Sequence, residues 1–341
     1  MTRPSVREIA RRVGVSPATV SRVLSGKPGV APDTRDRVLR DARELGMLTR
    51  AHSGSALVGI IVPELDNPAF ALLAGAVESK LASHGIVALI GSSTKHGPTE
   101  LDYLSVLLEQ GVRGLVLISG RHANPSADHG FYHELHRERI PMVLVGGRVA
   151  DLPVPTVACD EATGTAMAVA HLHDLGHTRI GLAGGQRYLL PSQNRLRGYL
   201  AAMRKFTGGV DERLYAETDF TMSGGASGAR RLLDSGATAI VAGNDLMALG
   251  AVMAAQERGL RVPEDVSIIG YDDSFLAAHS SPGLTTLRQP IDEMAAAAAS
   301  ALVEQVSGYE TPPVDHLFRP SLVVRRSSGA LTPPGAGSAG R

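Results

Sequence analysis

The sequence predicts an N-terminal all-α helix-turn-helix domain joined to an α/β body of two lobes, each built on a doubly wound parallel sheet. Three observations carry this reading. Two helix starts separated by a glycine crowd into residues 5–24. From Leu57 onward, short apolar runs alternate with helical patterns, as parallel strands with crossover helices require. That alternation restarts at Ala162, which makes two units of similar size.

Ser5 followed by Glu8 has the spacing of a capping box, in which hydroxyl and carboxylate each satisfy an orphan amide. Ile9, Ala10 and Val13 then recur at helical spacing. Gly14 accepts the left-handed conformation that ends the first helix. Ser16 is placed as an N-cap and Pro17 at the first helical position, where its missing N–H costs nothing. Val20, Val23 and Leu24 form the buried stripe of the second helix, so Thr19, Ser21 and Arg22 face elsewhere. Thr34 to Leu45 makes a third helix on Val38, Leu39, Ala42 and Leu45, with Gly46 as its stop. Its cap is weak, because Ala31 precedes Pro32 where a serine serves better; Asp33 assists. The head therefore spans residues 1–47, and the small polar stretch LTRAHSGSA, residues 48–56, is a linker.

Leu57–Pro63 has the composition of a buried parallel strand. Helix Ala69–His84, strand Ile86–Ile90, helix Thr99–Gln110, strand Gly114–Ser119, helix Phe131–Arg139 and strand Met142–Val145 follow. The second unit runs through helix Ala162–Leu175, strand Ile180–Ala183, helix Arg195–Phe206 and a short strand near Glu217–Phe220. Helix Ser227–Ser235, strand Ala239–Ala242, helix Asp245–Arg258 and strand Val266–Tyr271 continue it. An Ala-rich helix, Ile291–Val306, and a strand, Leu322–Val324, close a body of residues 57–326. The remaining residues 327–341, rich in Gly, Ala, Ser and Pro, are expected to be a disordered tail.

The 341 residues balance at 34 basic and 34 acidic side chains, but the balance hides an asymmetry. Residues 1–50 hold eleven Arg and Lys against five Asp and Glu. A basic head on an acidic body fits a polyanionic partner for the head alone. One cysteine, Cys159, excludes a disulfide within the chain and fits a reducing compartment. The N-terminus lacks a signal-peptide core, and runs such as Ala56–Pro63 and Ala295–Val303 fall short of the ~20 residues that span a bilayer. The expectation is a cytoplasmic protein without membrane contact, its core built from Ala, Val, Leu and Ile because tryptophan is absent.

The head string VREIARRVGVSPATVSRVLSGKPGVAPDTRDRVLRDARELG and the body strings GIIVPELDNPAF, HLHDLGHTRIGLAGG, AIVAGNDLMALGAV, RVPEDVSIIGYDD and LTTLRQP resemble the lactose-repressor/galactose-repressor (LacI/GalR) family of transcriptional regulators. The resemblance covers the chain apart from linker and tail. It implies a core like a type I periplasmic binding protein, with two lobes, a cleft and hinged crossing segments. It also implies a homodimer that sets the second helix of each head into one half of a roughly palindromic double-stranded operator. Carried over, Pro17, Ala18 and Arg22 occupy base-reading positions. Ala18 can touch only a thymine methyl, and Pro17 offers no amide. Arg22 therefore supplies the hydrogen-bonded readout, at ~1–3 kcal/mol for a bidentate guanine contact. Thr19 and Ser21 bond phosphates, and Ser5 and Ser16 at the helix starts complete the DNA-binding set. The linker departs from the family, whose longer hinge segment carries a proline and a minor-groove leucine. Arg50 and His52 are what remains here to reach the backbone or groove.

For the cleft, the resemblance places Ala69 and Phe70 at the first lobe's edge, and Arg195, Phe220, Asn244, Asp272 and Gln289 around a small polyhydroxylated effector. A sugar, a sugar phosphate and a nucleoside all fit that description. Phe220 is the stacking aromatic, and Asp272 the partner of two adjacent hydroxyls. Gly146-Gly147 stands where many relatives carry an aspartate, which removes one hydroxyl partner. Effector and operator are then linked by a coupling free energy of ~1–3 kcal/mol.

Rival chemistries fit less well. A solute-binding protein without a DNA role accounts for residues 57–325 but leaves the basic head unexplained. An enzyme on the same scaffold needs a nucleophile with a placed base, or a phosphate loop. GLAGG lacks both the dinucleotide fingerprint and the phosphate-loop lysine. Asp272 and Asp273 are adjacent and point apart, unlike paired hydrolase carboxylates. His129, His133 and His136 in HGFYHELH lack the zincin order and read as a surface helix, while His171, His173 and His177 read as helix and turn structure. The chain is expected to be no enzyme and to hold neither metal nor cofactor.

Overall fold

The structure, a computed structural model, describes residues 5–24, 29–45, 56–93, 97–309 and 311–331. Its contacts divide the chain into two compact units between Ala56 and Leu57. Linker residues 48–55 and the expected helix stop at Gly46 lie outside the described residues.

The head packs α1 (Val6–Val13), α2 (Pro17–Leu24) and α3 (Pro32–Glu44) around Ile9, Val20, Val38 and Ala42, all fully buried. The capping box is not formed. Ser5 is extended and its hydroxyl caps nothing; instead its carbonyl accepts the Glu8 and Ile9 amides at 2.9 and 3.3 Å. Gly14 turns the chain at φ 73°, and its amide donates to the Ala10 carbonyl. Ser16 does cap α2, its Oγ accepting the Thr19 amide at 3.1 Å. The third helix starts at Pro32, two residues before the expected Thr34, because the Ala31 carbonyl accepts the Arg35 amide at 3.0 Å and opens the first turn. Two arginines serve this scaffold. Arg37 Nη2 donates to the Val13 carbonyl at 2.6 Å, and Arg12 pairs with Asp41 at 3.1 Å.

The body holds two six-stranded sheets. The first lobe contains β1 (Leu57–Val62), α4 (Pro68–Ser83), β2 (Val87–Ser92), α5 (Glu100–Glu109), β3 (Leu115–Ile118), α6 (Gly130–Arg137), β4 (Met142–Val145) and β5 (Thr156–Cys159). The second contains α7 (Glu161–Asp174), β6 (Ile180–Gly184), α8 (Leu190–Thr207), β7 (Tyr215–Glu217), α9 (Met222–Asp234), β8 (Ala239–Ala242), α10 (Asp245–Glu257), β9 (Ser267–Asp272), α11 (Phe275–His279) and β10 (Thr285–Arg288). The chain then returns to the first lobe for α12 (Ile291–Val306) and β11 (Asp315–Phe318), and ends in the second with β12 (Ser321–Val323).

The strand orders are β11-β5-β4-β3-β1-β2 and β12-β10-β9-β8-β6-β7, parallel throughout except for β12 against β10. Three segments cross between the lobes, at Asp160, at Gln289-Pro290 and at Arg319-Pro320. In each sheet the order reverses beside the first strand of the lobe, between β1 and β3 and between β6 and β8. Ligands of open α/β sheets sit beyond the carboxyl strand ends at such a switch point, and here the two switch points face one cleft. No helix among the described residues is long and apolar enough to cross a membrane.

Several expectations need correction. Strands β5, β10 and β11 were not anticipated: β5 follows Pro153 and Pro155, and β10 and β11 are short and partly polar. Helix α8 begins at Leu190 rather than Arg195, since Pro191 is tolerated in a first turn. Helix α9 begins at Met222 rather than Ser227, and runs through Gly224 and Gly225. A Cβ on Gly225 would stand 2.1 Å from the Met247 carbonyl oxygen, so the glycine serves close packing of α9 on α10 instead of a loop. The strand expected near Glu217–Phe220 lies at Tyr215–Glu217, which leaves Phe220 in the following turn. Nor does the ordered body end at Arg326. Ser327 is fully buried, bonding the Thr285 amide and the Ile268 carbonyl, and Leu331 donates to the Leu175 carbonyl at 2.9 Å. Residues 332–341 lie outside the described residues.

Candidate functional sites

In the head, α2 buries Val20 and Val23 and turns Pro17, Ala18, Ser21 and Arg22 to the exposed side, with Thr19 half-buried. The Ser16 hydroxyl is engaged at the cap and lies 2.8 Å from Thr19 Oγ1, so these two hydroxyls hold one another at the helix start. Ser5 is exposed ahead of α1. An exposed helix offering a proline, an alanine, hydroxyls and one guanidinium, braced by two helices beneath, has the form of a groove-reading element.

In the body, a cavity of about 570 Å³ opens between the lobes at the carboxyl strand ends. All seven residues expected at the effector site line it: Ala69, Phe70, Arg195, Phe220, Asn244, Asp272 and Gln289. Arg195 lies in the second turn of α8 and is 8% exposed. Its Nη1 donates to the Gly243 carbonyl at 2.8 Å, and its guanidinium lies 4.0 Å from the Tyr271 ring centre and 5.6 Å from that of Phe220. Its Nε is buried and finds no partner among the described residues. Burial works against this charge, but Tyr271, Glu161 and Asp272 more than offset it and hold the pKa above the ordinary arginine value. The cleft therefore keeps a fixed cation in its wall.

Asp272 ends β9 at φ 109° and is buried. Its Oδ1 accepts from Gln289 Nε2 at 2.7 Å, across the second crossing segment. Burial, then the nearby Asp245, push its pKa up; Arg195 and Gln289 pull the other way. Asp273 is also left-handed, at φ 57°, and turns away from the cleft to pair with Arg288 and Arg325, each at 2.6 Å. The two carboxylates diverge as expected, on a left-handed turn.

Asn244 is spent differently from the expectation. Its Oδ1 caps α10 by accepting the Met247 amide at 2.8 Å, and its Nδ2 donates to the Phe220 carbonyl at 3.2 Å. It therefore holds the Phe220 turn against α10. Phe220 in turn packs on Gly185, where an added Cβ would meet the ring at 2.0 Å. Ala69 and Phe70 sit in the first turn of α4, whose cap is Asn67 Oδ1 accepting the Ala69 amide at 3.1 Å.

The cleft also contains residues that sequence reasoning missed: Glu64, Cys159, Glu161, Gln186 and Asp219. Cys159 ends β5, and each of the others lies two residues past the carboxyl end of a strand. Cys159 and Glu161 were out of reach because β5 was not recognised. Burial pushes the Cys159 thiol up to about 12 and raises the Glu161 carboxyl, which Arg195 opposes. Glu64 is raised by burial and then by Asp66.

Comparison with known proteins gives one consistent answer. Residues 5–49 match the model of the bacterial regulatory proteins of the lacI family, and residues 169–328 match a periplasmic binding protein-like domain. The chain is 39% identical over 330 residues to the HTH-type transcriptional regulator MalR of Streptomyces coelicolor, covering 95% of this chain and 96% of that protein. It is 33% identical over 338 residues to the HTH-type transcriptional repressor CytR of Escherichia coli, at 97% and 98% coverage. Among solved structures it is similar to the transcriptional regulator CelR–cellobiose complex, with TM-score 0.71, 31% identity, and coverage of 96% of this chain and 100% of that one. It is also similar to the Lac repressor dimer bound to operator and the anti-inducer ONPF, with TM-score 0.73, 26% identity and the same coverage.

Proposed function

The chain belongs to the lacI family of bacterial regulatory proteins, and from that premise we propose that it is a cytoplasmic transcriptional repressor whose grip on operator DNA is set by a small neutral carbohydrate-like effector. Two heads in a homodimer place α2 in successive major grooves of a roughly palindromic site, with Arg22 reading a guanine edge and Thr19 and Ser21 on phosphates. Strand β2, at the edge of its sheet, exposes Val87, Leu89 and Ile90. A bare apolar edge strand calls for a cover, and a second copy of the chain supplies it. The Lac repressor structure above is named as a dimer on its operator.

The observation that carries the effector reading is Arg195, a buried guanidinium held charged in the wall of the cleft. Four acidic side chains, Glu64, Glu161, Asp219 and Asp272, share its lining, and Glu161 and Asp272 act directly on Arg195. That charge balance disfavours a sugar phosphate and leaves the neutral polyhydroxylated ligands, a sugar or a nucleoside. The cellobiose complex of a relative points the same way. The cleft reads a ligand and does not transform it. Its thiol is held protonated, and its best-placed carboxylate, Asp272, is committed to Gln289.

A gel shift with the DNA upstream of the chain's own gene tests the regulator. The wild-type chain should form a specific, salt-sensitive complex, and Arg22→Ala should weaken it by roughly tenfold or more, as loss of a bidentate base contact requires. A complex indifferent to Arg22→Ala would remove α2 from the reading role.

A further inference from the structure

Asp245 is a buried carboxyl that the effector reading does not use. It opens α10 and lies outside the cavity lining. Its Oδ1 accepts the Thr286 hydroxyl of β10 at 2.6 Å, and its Oδ2 accepts the Ser274 amide at 2.7 Å. Those bonds tie α10 to β10 and to the residue just past the Asp272-Asp273 turn. Gly270 of β9 makes room for the carboxyl, since an added Cβ there would stand 2.4 Å from Asp245 Oδ1.

The buried charges around this turn do not balance. The turn itself brings Asp273, already paired with Arg288 and Arg325, and Asp272, buried and facing the cavity. From α7 comes Glu161 and from α8 Arg195, both acting on Asp272. Strand β5 contributes Cys159 and β9 contributes Tyr271, both held protonated by burial. Among the described residues, Arg195 is the one buried arginine or lysine, and it stands against three buried carboxyls, Glu161, Asp245 and Asp272. Burial raises the Asp245 pKa, while Thr286 and Ser274 pull it down; burial and then Asp245 raise that of Asp272. Carboxyls that repel one another in a dry site do not all ionise, and they release their protons as a set.

A polyhydroxylated ligand distinguishes the two forms of Asp272. A carboxylate accepts from two hydroxyls at once, in charge-assisted bonds about twice as strong as neutral ones. The neutral acid has one oxygen occupied by its proton.

We propose that Asp245 is a positioning residue for the effector response: it holds the Asp272 turn and shares one proton with Asp272, so that a polyhydroxylated effector expels that proton to solvent and binds more tightly as pH rises. Asp245 itself touches no ligand. This rests on the reading of the cleft as the site of a neutral sugar or nucleoside.

The full-length protein, carrying carbon-13 at its aspartate carboxyls only, is titrated by NMR between about pH 5 and 8.5, so that Glu161 is silent. In wild type two aspartates should titrate together above the ordinary carboxylate range. Asp245→Asn keeps an acceptor for the Ser274 amide and should lower the Asp272 midpoint by about one pH unit or more; Asp272→Asn should lower that of Asp245 alike. Thermal melts check folding, and either variant alone suffices for the comparison. Calorimetry in buffers of unlike ionisation enthalpy then counts the protons released on binding, with glucose, galactose, cellobiose, maltose, adenosine and cytidine as probes. A probe that binds wild type should release about half a proton or more near pH 6.5, and its affinity should rise about fivefold from pH 6 to 8; in Asp245→Asn that rise should shrink to less than about twofold. A midpoint unmoved by the variants, or binding without proton release in wild type, overturns this inference and leaves the effector reading standing. If none of the probes binds, the carbohydrate reading falls and this inference with it.

Discussion

Replacing Arg195 by alanine separates a ligand-binding arginine from a structural one, and the geometry sets the size of the effect. The guanidinium gives one charge-assisted bond to the Gly243 carbonyl at 2.8 Å, worth ~1.5–3 kcal/mol. Its approach to the Tyr271 ring at 4.0 Å adds ~2 kcal/mol in a desolvated site. Against these stands the cost of burying the cation, which the variant recovers. Removing the cation also strands Glu161 and Asp272, whose carboxyls burial already pushes upward. Deleting one member of a buried charge set costs ~3–5 kcal/mol when the others stay ionised. The carboxylates can escape by taking up protons, so the penalty must depend on pH. A carboxyl whose folded pKa is raised contributes stability that is present below its unfolded value and lost as pH rises through its folded value. Losing Arg195 raises those folded values further, so Arg195→Ala should cost ~3 kcal/mol near pH 8 and clearly less near pH 5.5. Urea melts of both proteins at the two pH values measure this. Arg195→Lys keeps the charge but not the planar fork, and should cost less stability while losing as much effector response. Operator affinity without effector should stay within about twofold for both variants, because distant sites act additively. A penalty equal at both pH values would refute the role of Arg195 as compensating cation, and loss of operator binding together with effector response would make the residue structural.

Two further expectations concern the same body. His177 is 2% exposed, with Nδ1 3.0 Å from Thr238 Oγ1 and Nε2 3.1 Å from both Ser267 Oγ and the Gly329 carbonyl. Burial lowers its pKa below the usual 6.5, so the unfolded chain takes its proton first and stability should fall as pH drops below about that value. Urea melts across that range should show a steeper decline for wild type than for His177→Gln, and parallel declines would free His177 of responsibility. Ile90→Glu on β2, where Ile90 is 47% exposed, should shift the chain to monomer in sedimentation at micromolar concentration and weaken operator binding, while leaving the melting midpoint within a few degrees; an unchanged dimer would move the interface elsewhere.

How much of this was legible in the sequence depended on what each element buries. Strands β1, β3, β4 and β8 are covered on both faces, so they read as unbroken apolar runs. Strand β11 lies at a sheet edge with alternating exposure, and β10 carries two threonines, both fully buried; neither has an apolar run to announce it. The Thr285 and Thr286 hydroxyls are satisfied by Ser328 and Asp245, partners remote in sequence. The same remoteness explains the tail. Ser327 to Gly329 looks like low-complexity chain, yet it is held by Ser267, Thr285 and His177, and no local pattern encodes that. At the site, Arg195, Phe220, Asp272 and Gln289 came from the family resemblance. Glu161 and Asp219 were recoverable from topology alone, as the residues just past strand ends, once β5 and β7 had been placed correctly.

The left-handed turn at Asp272-Asp273 joins the cleft to the second crossing segment. Asp272 faces the cavity and accepts from Gln289, which lies in the second crossing. Asp273 holds Arg288, the residue before that crossing, and Arg325, two residues beyond β12 in the second lobe. A backbone at φ 109° and then 57° on non-glycine residues is strained, and persists because these bonds over-determine it. A ligand hydroxyl that competes with Gln289 for Asp272 therefore acts on a turn already bonded to the second inter-lobe segment. The energy available for changing the lobe angle is the difference in ligand affinity between the two arrangements, ~1–3 kcal/mol of coupling, or about five- to 150-fold in operator affinity. An interaction of that size can be lost with a single hydrogen bond at Asp272, which makes this turn, more than the wider cleft, the place where binding and response part company.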